Sequence, residues 1–335
     1  MGAGCLSEVT EQYILRTPYF NDTCLEISKA DFIRYQHARN VILALRQISL
    51  SYAIAAVSYV ELEKLFSDFA LKYSVGDFDS RAFRTFSDEF TELCSLRLLT
   101  LLNSYSAFLD QTPKRLKSLG NALPEASIDF KSQCSSHYDQ NPDYRLFSCL
   151  RNYSQHHQLP ITGSSFGERP NLENEDNIEE SKRRDEIGVH PYISLAKIKS
   201  EKSTKAKDKQ LLNEIGLERG DVKAIVRSIA SSLAEINHWL VQYTEKAFSE
   251  AEAVTKESLG RIENAQKSAV SSVEVAMIAQ DHEEAFSMVV DIVAELRKER
   301  RRWHGIRVSW RRSISGRSVQ NKDTYFGSRE KLWVS

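Results

Sequence analysis

The run Leu150-Arg151-Asn152-Tyr153-Ser154-Gln155-His156-His157-Gln158-Leu159-Pro160 sets a guanidinium, a carboxamide and an imidazole within about a turn and a half of helix. An imidazole that titrates near neutrality can move a proton, and a guanidinium can offset charge gathering on phosphoryl oxygens. The reaction such a set can serve is cleavage of RNA by attack of a 2′-hydroxyl on the adjacent phosphodiester, with no metal required. Arg151 would carry phosphate and transition-state charge and His156 the proton. Asn152, one turn ahead of His156, can orient the imidazole or the phosphate by hydrogen bonding.

The helix that must hold these groups is bracketed by Asn141-Pro142-Asp143 and Leu159-Pro160, because proline suits a first helical turn and ends a helix that reaches it later. It is expected from about Tyr144 to His157. On a wheel at 100° per residue, Leu146, Phe147, Leu150, Tyr153 and His157 fall on an arc of roughly 120°, the core face. Asn152 and His156 share one flank, while Arg151 emerges on the opposite, polar side. An isolated helix therefore cannot aim Arg151 and His156 at one small ligand, and a second element or a second subunit must complete the site. Cys149 reads as packing, since nothing nearby would lower its pKa. The plain alternative is a pair of solvated polar residues, or a phosphate-binding pair without turnover.

The same residues resemble the motif of the HEPN superfamily, an arginine followed by a polar residue with a histidine four to six positions on. Arg151, Asn152 and His156 fill that pattern, with His157 the less suited histidine because it lies on the apolar arc. The resemblance spans roughly residues 28 to 166. It implies a helical bundle, a metal-independent endoribonuclease activity without cofactor, and a homodimer in which two copies of the motif form one cleft. It also implies a setting in phage defence or a toxin–antitoxin system, with an antitoxin or defence partner. Some members bind RNA or act as scaffolds without cleaving it.

Several further helices are needed to position the motif. Between Lys29 and Tyr73 there is no Gly or Pro, and Val41, Leu45, Ile48, Tyr52, Ala55 and Tyr59 recur at helical steps. Val75-Gly76-Asp77 reads as a stop, and Asp79 or Ser80 can cap a second helix with the stripe Phe83, Phe86, Phe90, Leu93, Leu96, packed as an antiparallel hairpin on the first. Gln111-Thr112-Pro113 is expected to end it, and Leu119 to Gln140 to be rich in turns. Past the motif, Ile161 to Phe166 and Val189 to Ile198 can pair as a small β-hairpin around a charged insert, and Lys199 to Lys209 reads as a solvated connection. Val222, Ile225, Val226, Ile229, Leu233, Ile236, Leu240 and Tyr243 mark an amphipathic helix. Helical texture is expected to continue through Gln266 and again from Ser271 to Arg302.

A second signal closes the chain. From Arg297 to Arg317 there are nine Lys or Arg against the single acid Glu299, with two tryptophans interleaved. Clustered guanidinium groups neutralise phosphates and indoles stack on unpaired bases. Arg300, Arg301, Arg302, Trp303, Arg307, Trp310, Arg311 and Arg312 are thus the expected RNA-binding set, the alternative being a solvated basic tail.

Composition narrows the classes. With 335 residues and a formal net charge of -1, the chain has no global basic coat. Its five cysteines lack a C-x-x-C pair and its eight histidines are scattered, so neither a disulfide framework nor a metal site is expected. The N-terminus lacks a secretion or lipidation signal, and Ile48 to Val60 falls short of the ~20 apolar residues of a spanning helix. Phosphate-loop, dinucleotide-binding and serine-hydrolase motifs are absent. The expected protein is all-α and cytoplasmic, with RNA rather than a membrane as partner. Its parts are an N-terminal segment (1–27), a HEPN-like helical domain (28–166), a charged insert and linker with short strands (167–210), a C-terminal helical region (211–303) and a basic tail (304–335). The rival reading is a non-catalytic helical module that binds RNA or a partner protein.

Overall fold

The computed structural model describes residues 11–18, 23–156, 161–170, 185–202, 204–279, 282–303 and 324–325. These residues are mostly helical and carry two small sheets. They sort into two compact units, each gathered from distant parts of the chain. One unit takes the segments up to Leu50, Gln111–Ser127 and Leu240–Arg302; the other takes Ser51–Asp110, Ile128–Trp239 and the segment from Trp303.

Helix α1 (Lys29–Val75) is one unbroken helix where the period allowed either one long helix or two nearly collinear ones, and α2 (Ser80–Lys117) begins where Asp79 offers its carboxylate. Asp79 Oδ1 accepts from the backbone N of Arg81 at 2.9 Å and of Ala82 at 2.7 Å, filling two donors that a helix start leaves open. Pro113 lies inside α2 instead of ending it. Leu116 and Leu119 beyond it are buried, and their packing outweighs the ladder bond that proline gives up. The stretch read as turns also contains a helix, α3 (Ala126–Gln140), which buries Ala126 and Phe130.

The first unit is built on the sheet β2-β1-β6-β7. Its strands are β1 (Gln12–Arg16), β2 (Cys24–Glu26), β6 (Val273–Ala279) and β7 (His282–Met288). The last two correct the expectation of helix after Ser271. Val273, Val275 and Met277 alternate along one face of β6, so the apolar set that fits a helical step of four fits a strand step of two equally well. Helix α8 (Glu245–Gln266) and the first part of α1 cover this sheet, with Tyr13, Leu15, Phe32, Tyr35, Ile262 and Val275 at the core.

In the second unit α1 and α2 are antiparallel, as rings Tyr52 with Phe108 (5.3 Å) and Phe66 with Phe90 (6.5 Å) face each other in reverse order. The motif helix α4 (Pro142–His156) follows α3. The expected hairpin is present as β3 (Gly163–Pro170) and β4 (Asp185–Ser194), with Phe166 opposite Val189. Phe166 also packs 5.2 Å from Phe86 and 5.6 Å from Phe90, which ties the hairpin to the α1–α2 pair. Short helices α5 (Leu195–Ser200) and α6 (Ala206–Ile215), the latter in part of the stretch read as a connection, lead to β5 (Arg219–Asp221) and α7 (Val222–Tyr243). Leu98, Leu102, Phe147, Leu150, Val226 and Ile229 meet in the apolar centre, so α2, α4 and α7 share one core. Helix α9 (Val290–Arg302) belongs to the first unit, and β8 (Thr324–Tyr325) runs parallel to β5.

By length and composition α1 is also apolar enough to cross a bilayer, and 56% of that window is buried inside the fold. Tyr52, Ala55, Ala56 and Tyr59 from this stretch lie in the protein core.

Two charges are buried where α7 meets α1. Arg227 Nε and Nη2 donate to Glu63 Oε1 and Oε2 at 2.7 and 2.8 Å, and Tyr59 donates to Glu63 Oε1 at 3.0 Å. Glu63→Ala leaves the guanidinium buried without its counter-charge and is expected to cost about 3–5 kcal/mol. The double variant Glu63→Leu/Arg227→Met, with neither charge, is expected to lose much less. Urea denaturation of both variants beside the wild type measures the difference.

Candidate functional site

Helix α4 is anchored at its start before it presents anything at its end. Asn141 Oδ1 accepts from Asp143 N at 3.0 Å, and the Asn141 amide donates to Ser232 Oγ on α7. Ser228 Oγ, also on α7, donates to the buried carboxylate of Asp143. The apolar face follows the wheel: Leu146, Phe147, Leu150 and Tyr153 are buried. Cys149 is buried too, and burial pushes its thiol up to about 12, which leaves it protonated and inert at neutral pH.

Arg151 and Asn152 lie off this face and are half-buried. Arg151 Nη2 stands 3.6 Å from Asp110 Oδ2, with 35% of the arginine side chain and 67% of the aspartate side chain exposed. That distance makes an ion pair but not a hydrogen bond. Arg151 Nε, shielded from solvent, has no hydrogen-bond partner among the described residues. His156 is the last residue of α4; five residues from Arg151, it stands roughly 140° around the axis from it. By helical period alone the two fall on different sides, and the His156 side chain lies outside what is described. His157 lies outside the described residues. Asp110 escaped the sequence reading because its nearness to Arg151 depends on how α2 and α4 pack, and no local spacing encodes that.

The basic segment divides. Arg300 is only 6% exposed. It donates to Val241 O at 2.7 Å, to Thr244 Oγ1 at 3.2 Å and to Glu245 Oε2 at 3.1 Å, and lies 4.8 Å from the Phe248 ring. Although expected in the RNA-binding set, its guanidinium bonds the Val241 carbonyl near the end of α7 and is buried. Arg301 and Arg302 are exposed and Trp303 is half-buried. Arg307, Trp310, Arg311 and Arg312 lie outside the described residues.

A second group of ionisable residues gathers at the start of α7. Asp221 Oδ1 accepts from Ala224 N at 2.8 Å and so caps the helix, and His190 Nδ1 stands 4.0 Å from its Oδ2. Gly188, two residues earlier on β4, leaves room for the imidazole, since a Cβ there would fall 2.1 Å from His190 Nε2 and the ring would have to shift. Burial holds the Asp221 carboxyl above its ordinary value. Lys223 is 1% exposed, with its Nζ 5.8 Å from the centre of the Phe66 ring. Burial pushes its ammonium down to about 8, against the opposing pull of Asp221 and Glu63. With so little surface, this group reads as structural. Among the described residues no three His, Cys, Asp or Glu side chains are grouped as metal ligands.

Comparison of the chain with protein-family models, with curated proteins and with solved structures returned no match.

The buried lysine sets a direction for stability against pH. Below about 8 the folded and unfolded chains both hold the proton and the burial penalty is carried in full. Between about 8 and the ordinary lysine value of 10.5 the folded chain releases the proton and the unfolded chain keeps it. Stability from this group therefore rises with pH across that window, by a total on the order of 3 kcal/mol. Cys94 and Cys149 act oppositely above pH 9, their thiols being raised by burial from the ordinary 9.0. The wild type minus Lys223→Met difference, from urea denaturation at pH 7.0 and 9.0, is expected to move in favour of the wild type as pH rises; a flat difference would exclude the lysine as its source.

Proposed function

We propose that the chain is a metal-independent endoribonuclease of HEPN type, working as a cytoplasmic homodimer on RNA in phage defence or a toxin–antitoxin system. The observation that carries this reading is Arg151. Its guanidinium is half-exposed towards the end of a firmly anchored helix, beside Asn152 and a turn before His156, and its nearest carboxylate among the described residues is too distant to hydrogen-bond. A cation left so loosely held on a polar helix face suits an anionic ligand that arrives from solution.

In this reading the 2′-oxygen attacks the adjacent phosphorus while the bond from phosphorus to the 5′-oxygen breaks, leaving a 2′,3′-cyclic phosphate and a 5′-hydroxyl. One proton leaves the attacking hydroxyl and one reaches the departing oxygen. His156, with its symmetry mate, handles these transfers; Arg151 offsets charge on the non-bridging oxygens; Asn152 orients. The wheel positions of Arg151 and His156 call for a second copy to bring the two kinds of group to one phosphate.

The exposed Arg301 and Arg302 favour the second reading, an RNA- or protein-binding module without turnover. Incubation of the purified protein with total RNA in excess EDTA separates the two. On the nuclease reading the wild type cleaves, and His156→Ala and Arg151→Ala each lose at least about a hundredfold in rate, the usual scale for a general acid–base or oxyanion group, with RNA still bound. Indistinguishable behaviour of all three proteins would remove the nuclease.

A further inference from the structure

The guanidinium groups of this protein are held in contrasting ways. Arg227 is gripped by both oxygens of Glu63 at hydrogen-bond distance, Arg34 by both oxygens of Glu257, and Arg300 by a carbonyl, a hydroxyl and a carboxylate. Among the described residues, Arg151 has one mostly exposed carboxylate at 3.6 Å and an Nε with no hydrogen-bond partner. A guanidinium offers five donors in a rigid fork, and a tetrahedral phosphate can take two of them side by side. Asp110 at its present distance does not. Burying one donor of that fork unpaired is unfavourable, so the ligand-free arrangement leaves Arg151 under-satisfied.

We propose that Asp110 is the displaceable counter-ion of Arg151: it holds the guanidinium in place in the free protein and competes with the RNA phosphate that Arg151 binds. This rests on the assignment of Arg151 to a phosphate in the proposed function, and makes Asp110 a positioning residue that sets how readily RNA is captured. It follows that neutralising Asp110 raises RNA affinity through Arg151 alone, with the step after capture left unchanged.

The test uses the full chain and a fluorescent single-stranded oligoribonucleotide carrying 2′-O-methyl groups throughout, which binds but cannot be cleaved. Asp110→Asn is expected to bind about two- to fivefold more tightly than the wild type at low salt, the range that an exposed ion pair commands. In the Arg151→Gln background the same Asp110→Asn change is expected to give no gain. An equal gain in both backgrounds would mean a general loss of negative charge and would overturn the proposal, as would no gain in either. Should Arg151→Gln fail to fold, Arg151→Lys takes its place, since it keeps a point charge but not the fork, and is expected to remove most of the gain. With cleavable RNA, kcat/KM is expected to rise by the same factor and kcat to stay constant. A wild type that never cleaves RNA ends the nuclease reading, while the binding cycle still decides the role of Asp110.

Discussion

A helix buried on its polar side as well as its apolar side must find every polar partner inside the protein, because an unpaired buried group costs more than most single contacts return. Helix α7 is under this constraint from Val222 to Ala234, all of it buried. Its solution is specific. Arg227 takes Glu63 of α1, Ser228 takes Asp143 of α4, and Ser232 takes the amide of Asn141 at the start of α4. These bonds fix α1 and α4 against one helix with a precision that interchangeable apolar contacts would not impose. A net gain in stability over a purely apolar helix does not follow, since buried ion pairs often only break even with hydrophobic replacements.

The consequence for α4 is an asymmetry along its length. Its first turn is committed through Asn141 and Asp143 and its middle through Leu146, Phe147 and Leu150, while Arg151 after them is half-buried and carries an ion pair to Asp110 that is too long for a hydrogen bond. Rigid support under a loosely satisfied cation is what recognition of an incoming anion asks for, since the positional entropy has been lost on folding and not on binding. The contrast with Arg300 makes the same point from the other side. It too sits in a basic stretch, yet its donors are consumed by the end of α7 and the start of α8.

Much of this protein was legible where a long period had room to express itself. The stripe from Val41 to Tyr59, the cap at Asp79, the wheel of α4 and the apolar set of α7 all stand where their spacing put them. The β3–β4 hairpin was readable from two extended runs that flank a charged insert. Short or ambiguous segments were not. Val273 and Met277 satisfy helix and strand alike, and only pairing with β1 and β7 decides for strand. Polar α3 has a weak stripe, and Pro113 reads as a stop until the burial of Leu116 and Leu119 outweighs it.

Local order along the chain settled which residues are helical and which side of each helix is apolar, because backbone period and side-chain hydrophobicity act over a few residues. It also settled that Arg151 and His156 cannot face the same way. Tertiary structure decided which polar groups are spent and which are free to act. The pairing of Glu63 with Arg227, the burial of Arg300 and Lys223, and the placing of Asp110 beside Arg151 all join residues far apart in the chain. Whether a charge meets water or an opposite charge depends on what packs over it, and no spacing within a single helix carries that information.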